Sequence, residues 1–231
     1  MRLLIFGVAA VLATSVAASA QMPPTSDTVH RLKEASTVLT TMRANPDKSI
    51  PANLWNQAAC VAVIPSVKKA AFVVGGEYGR GVVSCRHNGQ WTAPAFIELE
   101  KGSWGFQVGA EEIDLVLLVM NHRGMEKLLQ DKVVLGGDAS ASAGPVGRTT
   151  RAETDAQMSA EILSYSDSRG LFAGVDITGG VLHPDEDANH ATYGPNATAR
   201  QILSGGPVTV PAAARSFMTT LAHQTVATTG R

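Results

Sequence analysis

Thirteen consecutive residues, Gly136–Arg148 (GGDASASAGPVGR), carry almost no side-chain bulk. Gly136, Gly137, Gly144 and Gly147 free the backbone, while Ala139, Ser140, Ala141, Ser142 and Ala143 offer only small side chains. Such a run removes little apolar area from water and builds no core by its own burial. It is therefore a flexible linker, or a surface that another element, a ligand or a lipid approaches closely. Strand-like segments punctuated by glycine stand on both sides, and no composition shift divides the chain there. The run reads as a strand-and-turn element inside one sheet, whose small side chains admit a close neighbour, protein or lipid, with protein favoured.

The start of the chain has a separate logic. Met1-Arg2 is basic, Leu3–Val16 is apolar, and Ala18-Ser19-Ala20 is a small-residue cleavage pattern. Residues 1–20 are expected to be a secretory signal peptide, because the apolar stretch is short for a membrane span. No Cys follows Ala20, which disfavours lipoprotein processing. Cleavage would leave Gln21–Arg231 in a periplasmic or secreted location, long enough for one ordinary domain or two small ones. Net charge is −1 for the whole chain, so nucleic-acid binding has no bulk electrostatic support. The two cysteines, Cys60 and Cys85, both survive processing. Export to an oxidising space allows a disulfide between them, and two buried thiols on neighbouring strands are the alternative. Neither has a second Cys or His at metal spacing, so no metal or other cofactor is expected.

Periodicity places the elements. Val29, Leu32, Ser36, Leu39 and Met42 fall near one face of a helix over 27–45, with Ala35 and Val38 beside it and Pro46 ending it. Its polar face holds His30, Arg31, Lys33, Glu34 and Arg43, a mixed set that favours docking on the domain over lying in a membrane. A short helix over Pro51–Gln57 precedes strands at Ala59–Ile64, Lys69–Gly75 and Gly79–Arg86. Asn88-Gly89 signals a two-residue hairpin. The meander continues through Trp91, Phe96–Leu99 and Trp104–Val108, and the nearly all-apolar Asp114–Met120 predicts a strand covered on both faces. A helix at Gly124–Gln130, strand patterning at Ile162–Ser166 and Leu171–Leu182, a turn or helix at Pro184–Asn189, and helices at Ala197–Leu203 and Pro211–His223 complete the chain. No repeat or linker divides it. The expectation is one α+β domain with a strongly curved, mostly antiparallel, barrel-like sheet flanked by short helices and an N-terminal amphipathic helix.

Four constellations bear on chemistry. Ser164, Ser166 and Ser168 in SYSDSRG invite a nucleophile, with His183 or His190 as base and Asp167 or Asp176 as orienter, but the G-x-S-x-G elbow is missing. Asp185, Asp187 and Asn189 open like a calcium loop, yet His190 stands where Gly is needed and Asn196 where a bidentate Glu is needed, so an acidic turn is favoured. Gly75–Gly81 (GGEYGRG) lacks the G-K-[ST] ending of a phosphate loop and joins two strands. Lys68, Lys69 and Arg80 around it, with Arg86, form a candidate patch for phosphate head groups, against the plainer reading of solvated strand-end charges.

The runs APAFIELEKGSWGFQVGAEEIDLVLLVMNHRGMEKLL, LGGDASASAGPVGR and SYSDSRGLFAGVDITGGVLHPDEDANHATYG resemble the SYLF domain family. Four motifs occur in that family's order: Trp91–Phe96, Ser103–Gly109, Gly136–Arg148 and Ser164–Gly174. The likeness covers about 35–194, leaving 195–231 as a C-terminal helical tail. It implies a non-enzymatic domain that binds phospholipid, phosphoinositides in eukaryotic members, and it adds weight to membrane contact by the helix over 27–45. The family also contains yeast actin- and lipid-binding proteins. The expected function is thus a phospholipid-binding domain at the cell envelope, with Lys68, Lys69, Arg80, Arg148 and Arg151 as head-group contacts. An envelope serine hydrolase using Ser164–Ser168 and His190, and a structural envelope protein with a protein partner, are the rivals.

Overall fold

The structure, a computed structural model, describes residues 25–44, 50–145, 160–168 and 171–226. Residues 1–20, Arg148 and Arg151 therefore lie outside the described residues.

Helix α1 (Ser26–Ala44) and helix α2 (Ala52–Gln57) lead into β1 (Cys60–His87). Asn88 and Gly89 then turn the chain with φ of 51° and 79°, the left-handed pair that a tight hairpin needs. Strands β2 (Gln90–Trp91) and β3 (Ala95–Val119) follow, and β3 runs back antiparallel along β1 from Val83 opposite Ala95 to Cys60 opposite Val119. Helix α3 (His122–Leu128), capped by the Asn121 side chain, leads to β4 (Val133–Val134) and β5 (Ala141–Ala143). Then come β6 (Ile162–Ser168), β7 (Leu171–Gly174), β8 (Val181–Pro184) and helices α4 (Glu186–Tyr193), α5 (Ala199–Leu203) and α6 (Ala212–Val226).

This is an α+β domain built on a strongly curled mixed sheet. The β1–β3 ribbon is its spine. The far edge of β3 takes β6 against Asp114–Val119 and β8 against Ile97–Glu100; β7 adds to β6 and β4 to β8. Strand β5 lies parallel to β6, and the other strand pairings among the described residues are antiparallel.

The ribbon folds double. A fully extended strand would hold Cys60 and Cys85 about 80 Å apart, yet their Cα atoms are 3.9 Å apart and a disulfide joins them. Register shifts between Ile64 and Val67, and between Ala71 and Val73, bend the strand; Ser66 sits at φ 53° with its N–H donated to Asp114 Oδ1 at 2.9 Å. Glycine makes the crossing possible. A Cβ on Gly81 would stand 2.4 Å from the Val63 carbonyl oxygen, and one on Gly79 would stand 2.7 Å from Ile64. The Gly75–Gly81 stretch is therefore not a loop between two strands, as its sequence predicts. It lies within a single strand and lets that strand pass over its own beginning.

One contiguous core results. Ile113, Leu115, Val116, Leu117, Leu118 and Val119 are all buried, so both faces of this segment are covered as its apolar run predicts. Leu32, Ala35, Val38, Leu39 and Met42 bury the inner face of α1, and Gln224 of α6 donates to the Leu39 carbonyl at 3.0 Å. Two residues of α1 depart from the predicted pattern. Val29 is exposed, and the position beside it, Thr28, is buried with its hydroxyl donated to the Thr25 carbonyl. Arg31, assigned to the polar face, is buried as well.

The described part of the small-residue run, Gly136–Pro145, packs against protein. A Cβ on Gly144 would fall 2.1 Å from the Tyr165 ring, and one on Gly174 would fall 2.3 Å from the Gly144 carbonyl oxygen. Small residues here let β5, β6 and β7 close around the buried Tyr165.

Candidate functional site

Two clusters of buried charge organise the surface of the sheet. The first joins α1 to β1, β3 and α4. Arg31 donates to Asp185 Oδ2 at 2.7 Å and to Asp27 Oδ2 at 3.0 Å, and its guanidinium lies 5.3 Å from the centre of the Phe96 ring. Arg80 pairs with the same Asp27 carboxylate. Asp185 also caps α4 by accepting the Ala188 N–H at 3.0 Å. One buried arginine thus receives two carboxylates and an aromatic face, which offsets the cost of removing its charge from water. Beside it, Glu98 accepts from the Tyr78 hydroxyl at 2.9 Å. Burial, and then that bond to a carboxylate, pushes the Tyr78 phenol up to about 12. His183 stands 3.9 Å from Glu98 and 3.8 Å from Glu100.

The second cluster centres on Glu161, whose side chain is only 6% exposed. It accepts from Lys127 at 2.7 Å and from the Ser140 N–H at 2.9 Å, with Arg123 at 3.7 Å. Burial pushes this carboxyl up, but the Lys127 and Ser140 hydrogen bonds and the two cations outweigh it and hold it below the usual carboxylate range. Glu161 thereby fastens α3 to the small-residue run.

The sequence-nominated motifs fall mostly into scaffold roles. The Ser164 hydroxyl is buried and directed at two backbone carbonyls, Ser142 at 3.0 Å and Val175 at 2.5 Å. Ser168 donates to Glu111 at 3.3 Å, and His190 on α4 sits 3.7 Å from Glu186. A hydroxyl already directed at carbonyls holds strands together instead of offering its proton to a base. The DEDANH run is a helix start and not an acidic turn: Asp185 caps it, and Asn189 is buried, bonding both the N–H (2.8 Å) and the carbonyl (3.1 Å) of Phe96. Asn189 was legible only as a possible metal ligand, because its partner lies far away in sequence. No group of three or more His, Cys, Asp or Glu placed to hold a metal occurs among the described residues.

The proposed head-group residues are spread along the ribbon. Lys68 is exposed, with Glu112 opposite it on β3. Lys69 is half-buried, 3.7 Å from Glu77. Arg80 faces α1 through Asp27. Arg86 is drawn inward, donating to the Ala58 carbonyl at 3.1 Å with its guanidinium 4.3 Å from the Trp91 ring centre. No helix among the described residues is long and apolar enough to cross a membrane, which leaves strand-built spans unaddressed.

The class of protein defined here is an α+β domain whose polar motifs clasp a doubled-over β-ribbon. The chain belongs to the Ysc84 (SYLF) family: the family described as Las17-binding protein actin regulator matches residues 100–224, over half of the chain. It is 36% identical over 163 residues to LAS seventeen-binding protein 3 of Saccharomyces cerevisiae, covering 69% of this chain and 35% of that protein. It is 35% identical over 179 residues to SH3 domain-containing YSC84-like protein 1 of Bos taurus, covering 77% and 52%. The human protein of the same name is 36% identical over 167 residues, covering 71% and 48%. The chain thus spans about a third to a half of the length of the curated relatives it matches.

Proposed function

We propose that this chain is an exported, non-enzymatic domain that binds phospholipid at the surface of a cell-envelope membrane. The observation that carries the non-enzymatic part is the geometry of Ser164. The most nucleophile-like segment of the family match is bonded into the sheet, with its hydroxyl on two carbonyls. Family membership supports the lipid part, through the phospholipid binding that the SYLF resemblance implies. Export is supported by residues 1–20 and by the buried Cys60–Cys85 disulfide, since such bonds persist chiefly in oxidising compartments.

Lys68 is the best placed of the nominated cations, being exposed, whereas Lys69 and Arg80 already hold carboxylates. Arg148 and Arg151 are further contacts in this reading. The purified protein is expected to sediment with phosphatidylglycerol vesicles at low salt, and added salt is expected to weaken the association as it screens the cationic contribution. Absence of sedimentation with every anionic vesicle tested at low salt overturns the reading. The names of the yeast relatives favour a second reading, a protein partner in place of a lipid. Retention of one defined envelope protein by the immobilised chain, in a preparation that ignores vesicles, would select it.

A further inference from the structure

Arg31 and Lys127 are drawn into the fold by carboxylates, Asp27 and Asp185 for the first and Glu161 for the second. Arg86 is drawn in without one. It is half-buried, and no carboxylate pairs with it among the described residues. Its Nε donates to the Ala58 carbonyl at 3.1 Å, and its Nη2 reaches the Trp55 carbonyl at 3.5 Å. Both oxygens lie at the C-terminal end of α2, where a helix offers at most about half a unit of negative charge. Burial lowers the basicity of this guanidinium, and no neighbouring acid works against that loss. The Nη1 amino group makes no hydrogen bond among the described residues.

A second donor without an acceptor stands directly across the hairpin. Trp91 is the cross-strand partner of Arg86, and the guanidinium lies over its ring, 4.3 Å from the centre. Trp91 is only 8% exposed, and its Nε1–H, closed to solvent, has no acceptor among the described residues. A buried donor left unmatched costs the whole of its desolvation, so a native fold normally supplies the partner. The two side chains stand on a rigid frame. Thr92 donates its N–H to the Cys85 carbonyl at 2.9 Å and accepts the Cys85 N–H on its hydroxyl at 3.1 Å, and Cys85 is tied to Cys60.

We propose that Arg86 and Trp91 form a binding site for a phosphate-type oxyanion, whose separate oxygens accept from Arg86 Nη1 and Trp91 Nε1. The anion supplies the full counter-charge that the end of α2 does not. Stacking sets the guanidinium above the indole face, whereas the indole N–H lies in the plane of the ring, so the donors stand at two levels. A tetrahedral oxyanion meets two levels with different oxygens; a flat carboxylate pairs best with donors in one plane. The adjoining rung, His87 opposite Gln90, is exposed and gives the anion its way in, its side chains yielding to uncover the indole N–H. The phosphate is a free one or the phosphodiester of a lipid head group. The site stands on either and does not rest on the phospholipid reading above.

The test titrates the purified protein at constant ionic strength with inorganic phosphate and, separately, with glycerophosphoglycerol, the soluble head group of phosphatidylglycerol. The Trp91 indole N–H, assigned in a proton–nitrogen correlation spectrum by its loss in Trp91→Phe, is expected to shift saturably. Arg86→Lys keeps the charge and loses the fork, and is expected to weaken binding at least about tenfold by calorimetry. Trp91→Phe keeps a ring for the stack and loses one donor, for a loss of about two- to tenfold. An equal response to chloride, or unchanged affinity in the folded variants, overturns the site; where Arg86→Lys does not fold, Trp91→Phe decides alone. Tighter binding of the head group, with phosphatidylglycerol vesicle binding weakened by Trp91→Phe, upholds the site and assigns it to lipid. Tighter binding of inorganic phosphate, with vesicle binding unchanged, upholds it and assigns it to free phosphate. A protein that binds vesicles but responds saturably to neither probe overturns the site while the phospholipid reading stands. One that responds to phosphate and ignores vesicles overturns that reading and upholds the site.

Discussion

The two ends of the folded ribbon use glycine for opposite reasons. At the base, Gly79 and Gly81 sit where one strand presses on its own beginning, and there is no room for a Cβ. Toward the other end, where Gly102 stands opposite Gly76, a Cβ on Gly102 would face open space. The same residue type thus marks a contact made in one place and a contact left unmade in the other. Substitution is therefore expected to be costly at Gly79 and Gly81 and tolerated at Gly102.

A matched pair of substitutions tests this most sharply. Gly81→Ala drives a Cβ into the Val63 carbonyl and is expected to cost at least about 3 kcal/mol, because backbone must move. Thermal or urea unfolding of purified variants reads it, and a loss below about 1 kcal/mol would break the contrast. Next in size is the covalent closure of the base. Cys60→Ala/Cys85→Ala is expected to lose about 3 kcal/mol, the order given by loop-closure entropy for a cross-link of this span, read as a lower midpoint under non-reducing conditions.

A smaller effect of opposite sign is expected at Asp114, which holds the bulge at Ser66. Burial raises its carboxyl above the usual range; the Ser66 N–H opposes the shift, and Asp167 and Glu112 add to it. The folded-state value therefore exceeds the unfolded one. Ionised Asp114 destabilises the fold at neutral pH, and the penalty disappears as pH falls through the folded value and then the unfolded one. Asp114→Asn keeps an acceptor for Ser66 and is expected to gain less than about 1 kcal/mol at pH 7. The gain shrinks in acid, and a gain independent of pH would refute the cause. Last, Gly102→Ala is expected to change stability by no more than about 0.5 kcal/mol, in the stabilising direction, because it restricts the unfolded chain and meets nothing in the folded one.

Most elements were legible from pattern alone. The helix over 27–45 is found at Ser26–Ala44, and the Asn88-Gly89 turn sits where its dipeptide demands. The curled sheet follows from Val-rich strands interrupted by glycine, and the apolar Asp114–Met120 run is covered on both faces. What was not legible depended on partners distant in sequence. Three predicted strand segments are one strand, because glycine serves there for close approach and not for a turn. Arg31 read as a surface cation because Asp185, which draws it inward, lies at the other end of the chain. Asn189 read as a metal ligand because its partner, the Phe96 backbone, lies across the fold. Local pattern carries the period of an element and not the identity of what faces it.

The ladder between β1 and β3 also prescribes an order of assembly. Pairing begins at Val83 and Ala95, beside the Asn88-Gly89 turn, and ends at Cys60 and Val119. Each added rung spans a longer stretch of chain, so early rungs form fast and the last close the largest loops. During synthesis, β1 emerges whole with both long edges unpaired until β3 follows, which is the interval when a strand this long is most open to pairing with another chain. Lys68, Lys69, Glu77, Lys101, Glu111 and Glu112 flank the uncharged stretches 70–76 and 102–110 and act as gatekeepers in that interval.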